Sequence, residues 1–383
     1  MLSEKEINAA IQKITDRLDE VNRLFVKKVA RQILTIGEMN QSSINRLIVM
    51  RDMGMDVAEI NRELLTATSL NIKDLFKLYQ KALTETYTDK RFRAFLQENP
   101  LPTQDKSRIT QFAQNVSVQT ARTMLNISNT TAVSSQYQTA VDAAITAVST
   151  GLSDYQSATR SIIQDIGHNG LQVYYESGYH RRLDTAVRQN VVDGVNQINQ
   201  NASLMMGEAL GFDAVELSAH LRSAPDHEPV QGRVFLKAEF DKMQAGLDFT
   251  DVDGRSYESF RRPIGEWNCM HIAMGFSTEH SIRRYTDAQL KAWAETNQTG
   301  CEIDGKHMTV YKAVQYMRKL ETEIRRQKDA AVAARLVNDD TLRRTCQQKI
   351  NGLTARYYSV AKAAGVPPDG NRLTVQGFKA VKV

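Results

Sequence analysis

The sequence predicts a mostly α protein: a long helical N-terminal region, a small α+β central domain, and a C-terminal basic helical hairpin with an extended tail. Three observations predict this. Apolar residues recur at steps of three and four through most of the chain. After Gly211 the pattern changes to alternating apolar positions with dense turn residues, over about 211–300. Basic residues gather late, with twelve Lys/Arg against five Asp/Glu over 311–362 in a chain whose net charge is only +5.

The first helix runs from 4 to about 37 on Ile7, Ile11, Ile14, Leu18, Val21, Leu24, Phe25, Val29 and Ile33. Ser3 is its expected N-cap, and Glu6 completes capping-box spacing. A second helix is expected from Ser42 or Ser43 to Gly54, a third from Asp56 with Ile60, Leu64 and Leu65, and a fourth after Asn71 with Leu75, Phe76, Leu78 and Tyr79. Pro100 and Pro102, set among polar residues, predict a linker over 97–107. Helices resume at about 107–127, 130–150 and 153–167. The stretch Thr130–Ser149, rich in Ala, Ser, Thr and Val, reads as an ordinary packed helix or as an interaction helix. A further helix is expected over 170–210, with Gly178 and Gly194 inside it and Gly211 as its stop.

After Gly211 the period changes. Val215, Leu217, Ala219 and Leu221 alternate as in a strand, Arg233-Val234-Phe235 reads as a second, and 236–245 as a short helix ending at Gly246. Asp253-Gly254 signals a hairpin. Two helices follow at about 310–336 and 340–364, broken near Asn338-Asp339-Asp340. The tail from Arg372 alternates roughly and suits pairing with a sheet edge in this chain or a neighbour. These elements divide the chain into expected domains at 1–97, 98–210, 211–300 and 301–383.

Composition narrows the function classes. Apolar residues make up 42% and charged residues 24%, which is enough for real cores. Seven prolines and 20 glycines are too few for a collagenous or disordered chain. Cys269, Cys301 and Cys346 cannot form a disulfide framework, so a reducing compartment is expected. No apolar core follows Met1, which argues against a secretory signal, and no apolar run is long enough to predict a membrane span.

Five of the seven histidines, His220, His227, His271, His280 and His307, lie between 220 and 307. With Asp226 and Cys269 they form the one residue set resembling a chemical site. Imidazole and thiolate are the usual zinc ligands, and a Cys–His pair is also a nucleophile with its base. The spacing fits neither Cys-x-x-Cys nor His-Glu-x-x-His, so a structural polar cluster is the leading reading, with zinc and catalysis behind it. Cys269 and His271 are two apart, which on a strand puts both on one side. Dinucleotide and phosphate-loop glycine patterns are absent. Phe249 and Phe260 stand where an EF-hand around Asp251-Val252-Asp253-Gly254 needs ligands. Glu321 and Glu323 have the spacing of an ADP-ribosylating acidic pair, but their helical setting reads as solvated charges, Glu321 pairing with Arg325. Arg318, Lys319, Arg325, Arg326, Lys328, Arg335, Arg343 and Arg344 form a basic face for phosphates or merely for water, with no aromatics interleaved.

One order of elements is distinctive. An Asn-rich helix (191–207) precedes Val215-Glu216-Leu217-Ser218-Ala219-His220, Arg222, and Asp226-His227-Glu228-Pro229-Val230-Gln231-Gly232-Arg233-Val234-Phe235. Asn268-Cys269-Met270-His271, Arg284-Tyr285-Thr286, a basic helix to Tyr357–Gly365, and Arg372 follow. This resembles the phage minor capsid protein 2 family, itself similar to Mu F-type head morphogenesis proteins. The resemblance covers about 185–383 and is sharpest at 213–293; residues 1–170 show no recognisable match. Its motif residues are His220, Arg222, Asp226, His227, Gln231, Gly232, Asn268, Cys269 and His271. Met270 replaces the family's usual Arg, and Glu266-Trp267 its usual Gly or Pro. The resemblance implies a structural, non-enzymatic head protein of a tailed phage. It would be packaged in the procapsid interior near the portal after assembly in the host cytoplasm. It would aid head assembly and DNA packaging or ejection. Its partners would be the portal protein, other head proteins and packaged DNA, with no membrane and no cofactor. The alternative is a virion-delivered hydrolase or transferase built on His220, His227, Cys269 and His271, with zinc as the candidate cofactor.

Overall fold

The computed structural model describes residues 4–38, 43–98, 100–131, 133–149, 155–260, 262–265 and 269–383. Among them are eleven α-helices and nine short strands, so the chain is mostly α with a small α+β region. The long helices are α1 (Glu4–Glu38), α2 (Ser43–Tyr87), α4 (Thr103–Thr130), α7 (Leu183–Ala209), α10 (Val310–Leu336) and α11 (Asp340–Ala363). Shorter ones are α3 (Lys90–Glu98), α5 (Val133–Ser149), α6 (Tyr155–Asn169), α8 (Lys237–Gln244) and α9 (Asp287–Thr299).

The structure corrects several expected boundaries. The three helices expected over 42–79 are one helix, α2. Gly54 keeps helical backbone in open space and stops nothing. Asp56 caps nothing, because its buried carboxylate takes Lys28 (2.9 Å) and the Tyr137 hydroxyl (2.8 Å). Asn71 lies buried in mid-helix, donating to the Ile14 carbonyl (3.2 Å) and accepting from Arg17 (2.8 Å). The helix expected from 170 begins only at Leu183. Before it stands a hairpin, β1 (Gln172–Tyr174) and β2 (His180–Arg182), whose turn uses Gly178 at φ +80°. Over its described side chains α5 buries Val133, Tyr137, Ala140 and Val141, one face of a packed helix. The tail forms no strand within the chain. It turns through a 3-10 segment, Gly370–Leu373, and its Val381 N–H bonds Gln347 (3.1 Å).

The chain forms two compact units. The first comprises residues 1–10, 73–122 and 189–315, and the second 11–72, 123–188 and 316–383. The first unit holds an antiparallel sheet with β3 (Ala214–Leu217) at its centre, flanked by β4 (Val234–Leu236) and β7 (Ala273–Phe276). Val215 faces Phe235 on one side and Gly275 on the other. Val215, Leu217, Phe235, Ala273, Phe240, Met243 and Phe249 form the core beneath it. A Cβ on Gly207 of α7 would stand 2.9 Å from the Gly275 Cα, so this glycine pair lets helix and strand touch backbone to backbone. Two further hairpins complete the unit: β5 (Phe249–Thr250) with β6 (Ser256–Tyr257), and β8 (Cys301–Ile303) with β9 (Lys306–Met308).

The second unit is helical apart from the β1–β2 hairpin and is organised around buried charge. Arg182 donates to Asp184 (3.1 Å) and Asp329 (2.6 Å), and Arg325 donates to the other oxygen of Asp184 (2.7 Å). Glu321 accepts from Tyr357 (3.3 Å) and pairs with Arg318 (3.3 Å) and Arg372 (3.0 Å). It is therefore buried, not a solvated helix-face charge, and Arg325 pairs with Asp184 in its place.

Candidate functional site

Helix α7 builds the floor of the site with polar side chains. Asn196 and Gln200, four apart, face the sheet and satisfy backbone that no strand reaches. Asn196 donates to the Cys269 carbonyl (3.2 Å), and Gln200 accepts from the Ala273 N–H (3.0 Å). They hold the stretch leading into β7 so that Cys269 and His271 point inward together.

The loop between β3 and β4 brings the other partner. Its residues 224–231 make tight backbone turns that bury His227 completely. Cys269 Sγ stands 3.5 Å from His227 Nδ1 and 3.7 Å from His271 Nδ1. Cys269 and His271 are 3% and 2% exposed. Of the described His, Cys, Asp and Glu residues, these are the three whose ligand atoms gather within 4.8 Å of one another.

Each ring is held from behind. His227 Nε2 donates to the Arg262 carbonyl (2.7 Å), and Asp226 clamps the Arg262 guanidinium with both oxygens (3.2 and 2.9 Å). His271 Nε2 faces Gln231 Oε1 and Ser223 Oγ, each at 3.3 Å. Gln231 Oε1 also accepts the His220 N–H (2.9 Å), which fixes the orientation of the amide. The His220 ring stacks on His271 at 4.5 Å, making it a wall beside the trio. Gly232 follows Gln231 at φ +67°, and a Cβ there would meet Leu290 at 2.6 Å. Arg222 is half-buried on the same loop; Asn268 lies outside the described residues.

Burial decides the protonation states. It pushes His271 down to about 2, helped by the neighbouring His220 and His227 rings, and lowers His227 as well. It raises the Cys269 thiol. At neutral pH the trio is two neutral imidazoles around one thiol. A nucleophilic cysteine needs exposure and a depressed pKa, so this arrangement suits ligation or structure better than attack on a substrate.

Not every histidine in the region joins. His280 is exposed, near Phe95 and Glu279, and His307 sits on β9 against the Thr299 carbonyl (3.0 Å). Ser223, Arg262 and Phe260, whose ring lies 5.0 Å from that of His227, escaped sequence reasoning. The polar positions of α7, Asn196 and Gln200 among them, were the signal for the floor of the site.

A family model described as Phage minor capsid protein 2 matches residues 2–356. The chain belongs to that family. The match begins at residue 2, so it takes in the N-terminal region that showed no recognisable likeness, and it ends before Tyr357. No curated protein and no solved structure matches the chain. Membership in the minor capsid family makes it a structural protein of the phage head, found in the virion among other head proteins. No described helix is long and apolar enough to cross a membrane.

Of the eight basic residues expected to face phosphates, this minor capsid protein engages five within its second unit. Arg318, Arg325, Arg326 and Arg343 pair with Glu321, Asp184, Glu323 and Asp340. Lys328 donates to the Leu373 carbonyl (2.7 Å) and lies over the Phe378 ring. Arg335 is half-buried at the end of α10, while Lys319 and Arg344 are exposed.

Proposed function

We propose that this chain is a low-copy, non-enzymatic head protein, packaged in the procapsid interior near the portal before the head leaves the host cytoplasm. There it assists head assembly and the packaging or ejection of DNA. The observation that carries the reading is the family match across almost the whole chain. Long helices supply extended surface, and α2 leaves Met55, Leu65 and Leu70 exposed for a protein partner. The buried thiol with its raised pKa supports a role without catalysis. The eight basic residues Arg318 to Arg344 lend DNA contact only limited support, because Arg318, Arg325, Arg326 and Arg343 are already paired and, of the eight, Lys319 and Arg344 are exposed.

The test is a reconstruction of the phage head without imposed symmetry, together with co-sedimentation of the chain with portal rings. Density for it at the portal vertex and co-sedimentation are expected. Purified heads that lack the chain, or that carry it scattered over the shell, would overturn the proposal.

A further inference from the structure

We propose that His227, Cys269 and His271 bind a zinc-class divalent metal ion that staples the β3–β4 loop to the stretch entering β7. Zinc bonds of roughly 2.3 Å to sulfur and 2.0–2.1 Å to nitrogen, at tetrahedral angles, set sulfur and nitrogen about 3.6 Å apart. Cys269 Sγ lies 3.5 and 3.7 Å from the two Nδ1 atoms. The trio therefore already has the sulfur–nitrogen edges of a coordination tetrahedron.

The hydrogen bonds behind the rings fix which ring nitrogens carry protons. The Arg262 carbonyl can only accept, so His227 Nε2 carries its proton and Nδ1 bears a lone pair. Gln231 Oε1 is committed as an acceptor by the His220 N–H, and the Ser223 hydroxyl donates to the Ala224 carbonyl (3.3 Å). His271 Nε2 must then donate, and its Nδ1 also bears a lone pair. Two buried lone pairs thus converge on a thiol that has one weak proton, which can satisfy one of them. A metal ion satisfies both and takes the sulfur as thiolate, the thiol proton passing to solvent.

The surroundings fit this assignment. Metal-bound histidines donate their second N–H to a carbonyl, carboxylate or similar acceptor, and both rings here do so before any metal is considered. Asp226, 3.7 Å from His227 Nε2, adds negative charge behind one ligand. Three protein ligands leave the fourth position to water. Such a staple ties together segments 42 residues apart in a protein whose cysteines are all free.

The experiment uses the full-length chain, purified under reducing conditions, with elemental analysis for zinc and exchange into cobalt. About one zinc per chain is expected. The cobalt form should show a thiolate-to-metal charge-transfer band, lost in Cys269→Ser and retained in Cys301→Ser. Chelation should lower the melting temperature of the wild-type chain and leave Cys269→Ser unchanged. Folded wild-type chain that carries less than a tenth of an equivalent of zinc and gives no cobalt–thiolate band overturns the proposal. So does a band that survives Cys269→Ser. Neither result bears on the head role, which the portal experiments address separately.

Discussion

Arg182→Met removes the cation at the centre of the buried network in the second unit. Its guanidinium donates to Asp184 (3.1 Å), Asp329 (2.6 Å) and the His168 carbonyl (3.2 Å), and the residue is 6% exposed. Methionine fills much of the same space without the charge. Breaking a buried ion pair by deleting one partner costs about 3–5 kcal/mol, because the other charge stays buried and uncompensated. Here Asp329 loses its charge partner and Asp184 keeps only Arg325, so the upper half of that range is expected. At roughly 2–4 °C per kcal/mol for a domain of this size class, the melting point should fall by about 8–20 °C. The pH dependence is a second readout. Burial, together with the nearby Asp329 and Asp184, raises Asp19, and burial also raises Asp329. A carboxyl whose folded pKa is raised costs stability once the pH exceeds its unfolded value near 3.8, and that cost fades as acid protonates it. Asp184 is the opposite case. Burial alone would raise it, but Arg182 and Arg325 more than offset that and hold it below the usual range. Its stabilisation persists above the ordinary carboxylate value and is lost in stronger acid. Without Arg182, Asp184 moves toward the raised group, so the defect of Arg182→Met should shrink as the pH falls from 7 towards 5. Asp19→Asn should raise the urea midpoint at pH 7 by circular dichroism, with the gain vanishing towards pH 4. A structural role for the buried network is refuted if Arg182→Met unfolds within about 1 kcal/mol of wild type, or if Asp19→Asn destabilises at pH 7.

Three further outcomes follow from single contacts. Gly207→Ala places a methyl 2.9 Å from the Gly275 Cα, backbone that cannot step aside cheaply, and should cost roughly 1–3 kcal/mol in urea denaturation. Asn196→Ala leaves the Cys269 carbonyl without its donor, at a cost of about 1–3 kcal/mol, and hydrogen exchange should rise at residues 269–273 before the rest of the sheet. Gly352→Ala, on an exposed turn of α11 with nothing near its Cβ, should stabilise by about 0.5–1 kcal/mol, read as a higher melting temperature.

Elements set by local chemistry were legible in the sequence. The break between α10 and α11 falls where Asn338-Asp339-Asp340 predicts it, with Asn338 at φ +56° and the Asp339 carboxylate capping Leu342. The turn at Gly254 (φ +81°) and the end of α8 at Gly246 (φ +72°) follow their residues in the same way. Elements set by distant partners were not legible. Asp56 and Asn71 look like caps because short polar side chains favour helix starts, but their partners, Lys28, Tyr137, Ile14 and Arg17, lie many residues away. The β1–β2 hairpin hides in a stretch whose spacing also suits a helix, and its aromatic Tyr174, Tyr175 and Tyr179 are the clue that spacing alone overrides. At the site, the alternation of Cys269 and His271 does place both on one side. No spacing rule could choose His227 over His280 or His307 as their companion, because the β3–β4 loop makes that choice in three dimensions.

Long helices lined with small residues have a register problem, and the polar networks answer it. α6 and α10 approach so closely that a Cβ on Gly167 would stand 2.6 Å from the Ala330 Cα, and Ala331, Ala333 and Ala334 continue a nearly featureless surface. A slip of one turn, about 5.4 Å, would keep most of that apolar contact. It would not keep Arg160 on Asp339 (2.7 Å), His168 on Glu323 (3.2 Å) or Arg182 on Asp329 (2.6 Å), and the last of these would leave charges stranded in the interior. Apolar burial therefore favours association of the helices in any of several registers, and the ion pairs penalise all but one. The first unit solves the same problem without charge. Asn196 and Gln200 reach backbone at the start of β7 and in the loop before it, and these hydrogen bonds exist in one alignment of α7 against β7 only. The residues that most disturb a helix reading of this sequence are for that reason the ones that select its fold.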